Sequence, residues 1–128
     1  EPGLKDLYRW CSGVLQLAVR TAPRRNQQMA PPIAPEDETE RAAVLFATIA
    51  HMADNAECIR RIGALIDRTA ALRHAEATVL DDISVELEAM ATCLGDGNRP
   101  MLTRQIASYY RRRERLAGVI LRTLYRAP

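Results

Sequence analysis

Apolar residues recur at alternating steps of three and four through the centre of the chain, and this period restricts the fold more than any other feature. After Pro35 they fall at Leu45, Ile49, Met52, Ala56, Ile59, Gly63 and Ile66. Such spacing keeps one face of an α-helix in a core, whereas a strand alternates at every second residue. No alternating pattern typical of strands occurs in the sequence. The sequence therefore predicts an all-α protein.

Breaks between the periodic segments predict four helices, near residues 3–22, 36–68, 74–94 and 100–126, and a surface linker at 23–35. Pro23 ends the first helix, and Pro35 followed by acids starts the second. The loop at 95–98 separates the last two. The turn near 69–74 is inferred from helix length alone. With 128 residues, the chain is predicted to be a single domain, an up-and-down antiparallel four-helix bundle.

Each predicted helix carries an apolar stripe for the core. The stripe of the first helix contains Leu4, Leu7, Cys11, Val14 and Ala18, thickened by Trp10 and Leu17. In the last helix one charged residue, Arg113, interrupts the stripe. An arginine at such a position commonly lies at the stripe edge, with its charge in water. The alternative is a buried ion pair between Arg113 and an acid of the second or third helix.

Composition and motifs exclude several classes of protein. The 18 basic and 16 acidic residues leave a net charge of +2, which argues against nucleic acid as a partner. The three cysteines are far apart and form no Cys-x-x-Cys pair, which favours a reducing compartment over a disulfide framework. The longest apolar run, 42–50, is about half of a membrane span. We predict no enzyme, because no nucleophile elbow or phosphate-binding glycine loop is present.

The third and fourth predicted helices carry opposite charges. Residues 76–96 include six acids and no base, whereas residues 99–126 include eight arginines and one acid. A short loop makes such helices antiparallel neighbours, so many of the arginines are expected to form ion pairs within the molecule. The expected register sets Asp81 and Asp82 opposite Arg111 and Arg112, and Glu86 nearer Arg104.

The alternative use of these arginines is an anion-binding or nucleic-acid-binding surface. Its residues would be Arg111, Arg112, Arg113 and Arg115, continued by Arg122 and Arg126. Tyr109 and Tyr110 would then be platforms on which bases stack. No DNA-binding motif accompanies them.

Four side chains that can bind metals lie three or four residues apart on the polar face of the second predicted helix: His51, Asp54, Glu57 and Cys58. Imidazole, carboxylate and thiolate groups at helical spacing suit a divalent metal such as zinc or iron. A solvated helix face accounts for the same four residues, so both interpretations stay open.

The segment at 50–59 resembles the helix signature of PhoU-like domains, which reads roughly Glu-Arg-Ile-Gly-Asp-His-Ala-Glu-Asn-Ile. Asp54, Ala56, Glu57 and Ile59 match the signature, and the glutamate, histidine and asparagine of the family fall on Ala50, Asn55 and Cys58. The resemblance continues from residue 36 onward through a helix, a glycine-aspartate turn and another helix.

This resemblance implies a PhoU-like bundle acting as a non-enzymatic regulatory domain linked to phosphate transport. Such a domain would be the cytoplasmic tail of a sodium/phosphate cotransporter-type protein, and its partner would be the membrane portion. PhoU-like domains bind metal through the signature glutamate and the aspartate four residues later, and only Asp54 of that pair is present here. The alternative function is a self-associating or partner-binding helical module, such as a homodimer, without a small ligand.

Overall fold

The computed structural model describes residues 2–26 and 35–126, which form seven α-helices, one short 3₁₀ turn at Arg24–Asn26 and no strand. The helices are α1 (Pro2–Thr21), α2 (Glu38–Met52), α3 (Ala56–Arg68), α4 (Ala70–Val79), α5 (Ile83–Asp96), α6 (Arg99–Arg115) and α7 (Ala117–Arg126). The all-α prediction is confirmed for these two ranges. Most of the predicted linker, residues 27–34, lies outside them.

The sequence predicted several helix ends well, and capping residues fix two of them. The first helix agrees with its predicted bounds to one residue at each end. Gly97 takes the left-handed conformation (φ 71°) and closes α5. The side chain of Asn98 then accepts the backbone N–H of Met101 at 3.2 Å and starts α6. Within the described ranges, no helix has both the length and the apolar character that crossing a bilayer requires.

The predicted helix at 36–68 is wrong in one respect, because it breaks into α2 and α3 at 53–55. Asp54 adopts a left-handed backbone conformation (φ 51°), which an α-helix cannot continue through. The side chain of Asn55 then accepts the N–H of Cys58 at 3.1 Å and starts a new helix. The new helix, α3, packs against both α2 and α1.

The other two long predicted helices are also interrupted. The helix predicted at 74–94 begins earlier, at Ala70, and is interrupted at 80–82, where Asp82 is left-handed (φ 59°). The helix predicted at 100–126 is interrupted at Leu116. Thr69 alone separates α3 from α4, where the sequence predicted a turn of several residues.

The core lies between α1, α2 and α6. The helices α1 and α6 are antiparallel: at one end Arg99 donates to the carbonyl of Ala22 at 2.7 Å, and at the other Arg9 donates to Glu114 at 2.7 Å. The aromatic rings of Tyr8, Phe46, Tyr109 and Tyr110 pack together at centroid distances between 4.9 and 6.0 Å. The helix α5 packs on α6 and α2, and α7 packs on α4.

Candidate interaction surface

The four candidate metal ligands do not share one helix face. His51 lies in the last turn of α2, Asp54 lies in the junction, and Glu57 and Cys58 lie in the first turn of α3. His51, Asp54 and Glu57 are exposed, whereas Cys58 is half-buried. The break at 53–55 therefore removes the helical spacing on which the prediction of convergence depended.

Arginines already pair with the two acids of this set. Asp54 accepts from Arg25, and Glu57 accepts from Arg60 and, at 2.8 Å, from Arg61. Over residues 2–26 and 35–126, no group of three or more His, Cys, Asp or Glu side chains could hold a metal ion. The described residues thus give no support to a metal centre at the PhoU-like segment.

The arginine that interrupts the apolar stripe of α6 forms a buried ion pair. Arg113 has no exposed surface, and its Nε donates to Glu76 of α4 at 2.9 Å. Its two terminal nitrogens donate to the oxygens of Glu86, each at 3.0 Å. Its guanidinium carbon lies 3.4 Å from the centre of the Tyr109 ring. The edge position commonly expected for such an arginine is wrong here, and the alternative of a buried pair is confirmed.

The same network includes a tyrosine that the sequence did not single out. The hydroxyl of Tyr8 donates to the second oxygen of Glu76 at 2.7 Å, so both oxygens of this 3% exposed carboxylate have partners. Burial and the adjacent carboxylate raise the pKa of Tyr8 far above its ordinary range, so the hydroxyl remains a donor. Burial would lower the pKa of Arg113, but Tyr109 and the two carboxylates outweigh it and keep the guanidinium charged.

The predicted anion surface is divided by these pairs. Arg112 bonds to Asp81 at 2.8 Å and lies 3.2 Å from Glu86, so Glu86 faces Arg112 and Arg113 and not Arg104 as predicted. Arg111 and Arg115 are exposed and form no ion pair with another described residue.

The tyrosines of α6 are not available to a ligand. Tyr109 and Tyr110 are 3% and 7% exposed and form part of the aromatic cluster, so the prediction that they act as stacking platforms is wrong. The anion surface thus retains two of its four predicted arginines and neither of its aromatic residues.

The first helix presents an apolar face that the other described helices do not cover. Trp10 and Leu17 are 53% and 54% exposed, although the sequence placed them in the core stripe. Leu7 lies one turn before Trp10, Val14 lies between Trp10 and Leu17, and both are half-buried. These four residues, spaced by three, four and three, form one band along α1, which we call the α1 face.

The width of the apolar arc of α1 explains why this face is left uncovered. The opposite edge of the arc, with Leu4, Tyr8 and Leu15, is buried against the other helices. A surface helix of a globular protein usually needs an apolar stripe of about 100°. In α1 the apolar arc is about twice as wide, counted at about 100° per residue, so one side of it remains in water.

A second surface feature lies between helices other than α1. A groove of about 650 Å³ runs between α2, α5 and α6, and it is lined in part by Val85, Cys93 and Gln105. Val85 is 65% exposed, but it is the single large apolar side chain of the described residues of α5 that is so exposed. It therefore offers a reference for an exposed apolar residue outside the α1 face.

Comparisons with known proteins assign the chain to no family. Neither a scan against protein-family models nor searches of curated proteins and of solved structures find a match. Over the described residues, the structure defines an all-α protein with an exposed apolar face on α1.

Proposed function

We propose that this protein is a non-enzymatic helical interaction module that self-associates through the α1 face. The observation that carries the proposal is the half-exposed Trp10 beside the half-exposed Leu17 on one helix. Scattered single apolar residues are normal on a protein surface, but a contiguous band marks an interaction site. Covering the exposed half of a tryptophan removes about 100 Å² of apolar surface from water, which contributes about 2.5 kcal/mol.

A second copy of the chain is the occupant that fits this face. Two opposite charges flank the face, Asp6 near its beginning and Arg20 near its end. A partner surface of uniform charge would be repelled at one end, whereas the same face in reversed orientation is complementary at both ends. Such self-complementarity is what a twofold symmetric dimer requires.

Light scattering over a concentration series tests the proposal. We expect the apparent mass of the wild type to rise from 14.3 kDa toward twice that value. The variant Trp10→Ser/Leu17→Ser should stay monomeric, because it removes the exposed apolar area without touching the core. The matched control, Val85→Ser, removes one exposed apolar side chain of α5 and should associate like the wild type. A monomeric wild type at every concentration, or equal dissociation by the control, would refute the proposal.

The PhoU-like regulatory role, with its four-helix bundle, cytoplasmic location and phosphate-transport partner, stays a prediction. The observation in its favour is that Asp54 and Glu57 face solvent, as a metal-dependent or partner-dependent role would require. Repeating the light scattering with added zinc, for wild type and Asp54→Ala, separates the two functions. Association that depends on metal and is lost in Asp54→Ala favours the regulatory role, whereas metal-independent association favours the module proposed above.

A further inference from the structure

The α1 face has the residue spacing of a short coiled-coil seam. With Leu7 and Val14 at heptad position a, Trp10 and Leu17 take position d. The neighbouring row, position g, then contains Asp6, Gly13 and Arg20 at steps of seven residues. This row lies on the solvent side of the face, because all three residues are exposed.

We infer that two copies of α1 pair antiparallel, with the two Gly13 residues meeting at the crossing point; this inference rests on the self-association proposed above. In an antiparallel pair, a packs against d and g faces g. Leu7 therefore meets Leu17 of the second copy, and Trp10 meets Val14 of the second copy. The spacing of three, four and three is the same in both directions, so every apolar residue of the face finds an apolar partner.

The charges of the g row are complementary when the two helices pair antiparallel, but not when they pair parallel. Asp6 and Arg20 lie seven residues before and after Gly13, about 10 Å along the helix in each direction. Antiparallel pairing puts Asp6 opposite Arg20 of the second copy, and the twofold axis repeats this ion pair at the other end. Parallel pairing would bring the two Asp6 side chains to one level and the two Arg20 side chains to another, with like charges together.

Gly13 is suited to the crossing point. A glycine within a helix is less favourable than alanine by about 1 kcal/mol, and packing among the described residues does not require one here. A Cβ atom added at Gly13 would meet no atom of the described residues within 4 Å, so none of these neighbours excludes a side chain. Without a side chain at this position, the backbones of two helices can approach closely.

The interactions that Asp6 and Arg20 make within one copy of the chain are weak enough to be replaced. Asp6 accepts from Arg9 at 3.2 Å, and both side chains are more than 60% exposed. Arg20 donates to Gln16 at 2.8 Å on the exposed side of the helix. Exposed pairs of this kind are worth at most a small part of the binding free energy, so new pairs across an interface replace them readily.

Cross-linking between engineered cysteines tests the direction of pairing. In a Cys58→Ser background, which removes the half-buried thiol, Gly13→Cys and Thr21→Cys are each treated with a short bismaleimide. Antiparallel pairing brings the two copies of residue 13 together and separates the two copies of residue 21 by about 24 Å along the helix axis. A side chain at position 13 weakens the pairing, so both variants are treated at a protein concentration well above the one at which the wild type dimerises. We expect a cross-linked dimer for Gly13→Cys and none for Thr21→Cys. Equal cross-linking of both would show parallel pairing and overturn the inference while leaving self-association intact.

Charge reversal provides the second test. Asp6→Arg and Arg20→Asp should each weaken dimerisation about tenfold, since two symmetry-related ion pairs are lost in each variant. The double variant should return to within about threefold of the wild type, because it restores both pairs in reversed order. The control Arg111→Asp changes an exposed charge on α6 and should leave dimerisation unchanged. A double variant as weak as either single one overturns the inference, and a wild type without dimers overturns the proposed function as well.

Discussion

Replacing Arg113 by methionine should destabilise the fold severely. Methionine keeps the length and apolar stem of the side chain but removes the only cation that Glu76 contacts in the described network. Removing one partner of a buried ion pair leaves the other charge uncompensated and costs about 3–5 kcal/mol. Glu86 is partly exposed and keeps Arg112, so most of the loss arises at the 3% exposed Glu76.

We therefore expect Arg113→Met to lower the free energy of unfolding by about 3–4 kcal/mol, a large share of the about 5–15 kcal/mol of a typical domain. Urea unfolding followed by circular dichroism measures this loss as a lower midpoint at an unchanged slope. The matched control is Arg111→Met, which changes an exposed neighbour that forms no ion pair with another described residue and should stay within about 0.5 kcal/mol of the wild type.

The double variant Glu76→Gln/Arg113→Met shows whether the pair is the cause. A neutral amide can still accept the hydroxyl of Tyr8 and needs no cation, so the double variant should regain about 1–3 kcal/mol relative to Arg113→Met. The reasoning is refuted if Arg113→Met is as stable as Arg111→Met. It is also refuted if adding Glu76→Gln to Arg113→Met lowers the free energy of unfolding further.

Three further predictions concern single residues. Asn55→Ala should lower the free energy of unfolding by about 1 kcal/mol in urea titrations, because the N–H of Cys58 loses its 3.1 Å capping bond. Gly13→Ala should raise the thermal stability of the monomer by about 0.5–1 kcal/mol through helix propensity, yet weaken dimers in light scattering. Burial and the nearby Glu76 raise the pKa of the Cys11 thiol from 9.0 to about 11. The stability that the fold gains from keeping this thiol neutral is therefore fully present below pH 9, and it declines by about 2–3 kcal/mol as the pH rises to 11. Cys11→Ala should remove this decline from unfolding curves.

Local chemistry made part of the fold predictable. The end of α5 and the start of α6 follow from Gly97 and Asn98, whose conformational and capping preferences hardly depend on the rest of the chain. The buried pair of Arg113 was open to prediction from a single charged residue in an apolar stripe. Its partners Glu76 and Tyr8 were not, because only the packing of α1 and α4 against α6 brings them together.

The helix breaks could not be located from the sequence. Neither the junction at 53–55 nor the one at 80–82 contains glycine or proline. In each, an aspartate, Asp54 or Asp82, takes the left-handed conformation at a modest energetic cost, and the same residue type is common on a solvated helix face. The PhoU-like segment therefore looked like a continuous helix, and the predicted convergence of His51, Asp54 and Glu57 depended on that continuity.

The α1 face was hidden for a different reason. Trp10 and Leu17 fit the periodicity of a core stripe, and the period alone does not show how much of an apolar arc the other helices cover. The signal that was present is the width of the arc, since α1 carries more apolar circumference than a surface helix needs.

The fluorescence of Trp10 tests the central claim most directly, because it is the single tryptophan of the chain and lies on the α1 face, 53% exposed. Emission spectra and acrylamide quenching of the unmodified protein are recorded from dilute to concentrated solution. Self-association through α1 predicts an emission shift to shorter wavelength and reduced quenching as the concentration rises. Identical spectra and quenching at every concentration, in samples whose mass increases by light scattering, would show that the protein associates through another surface.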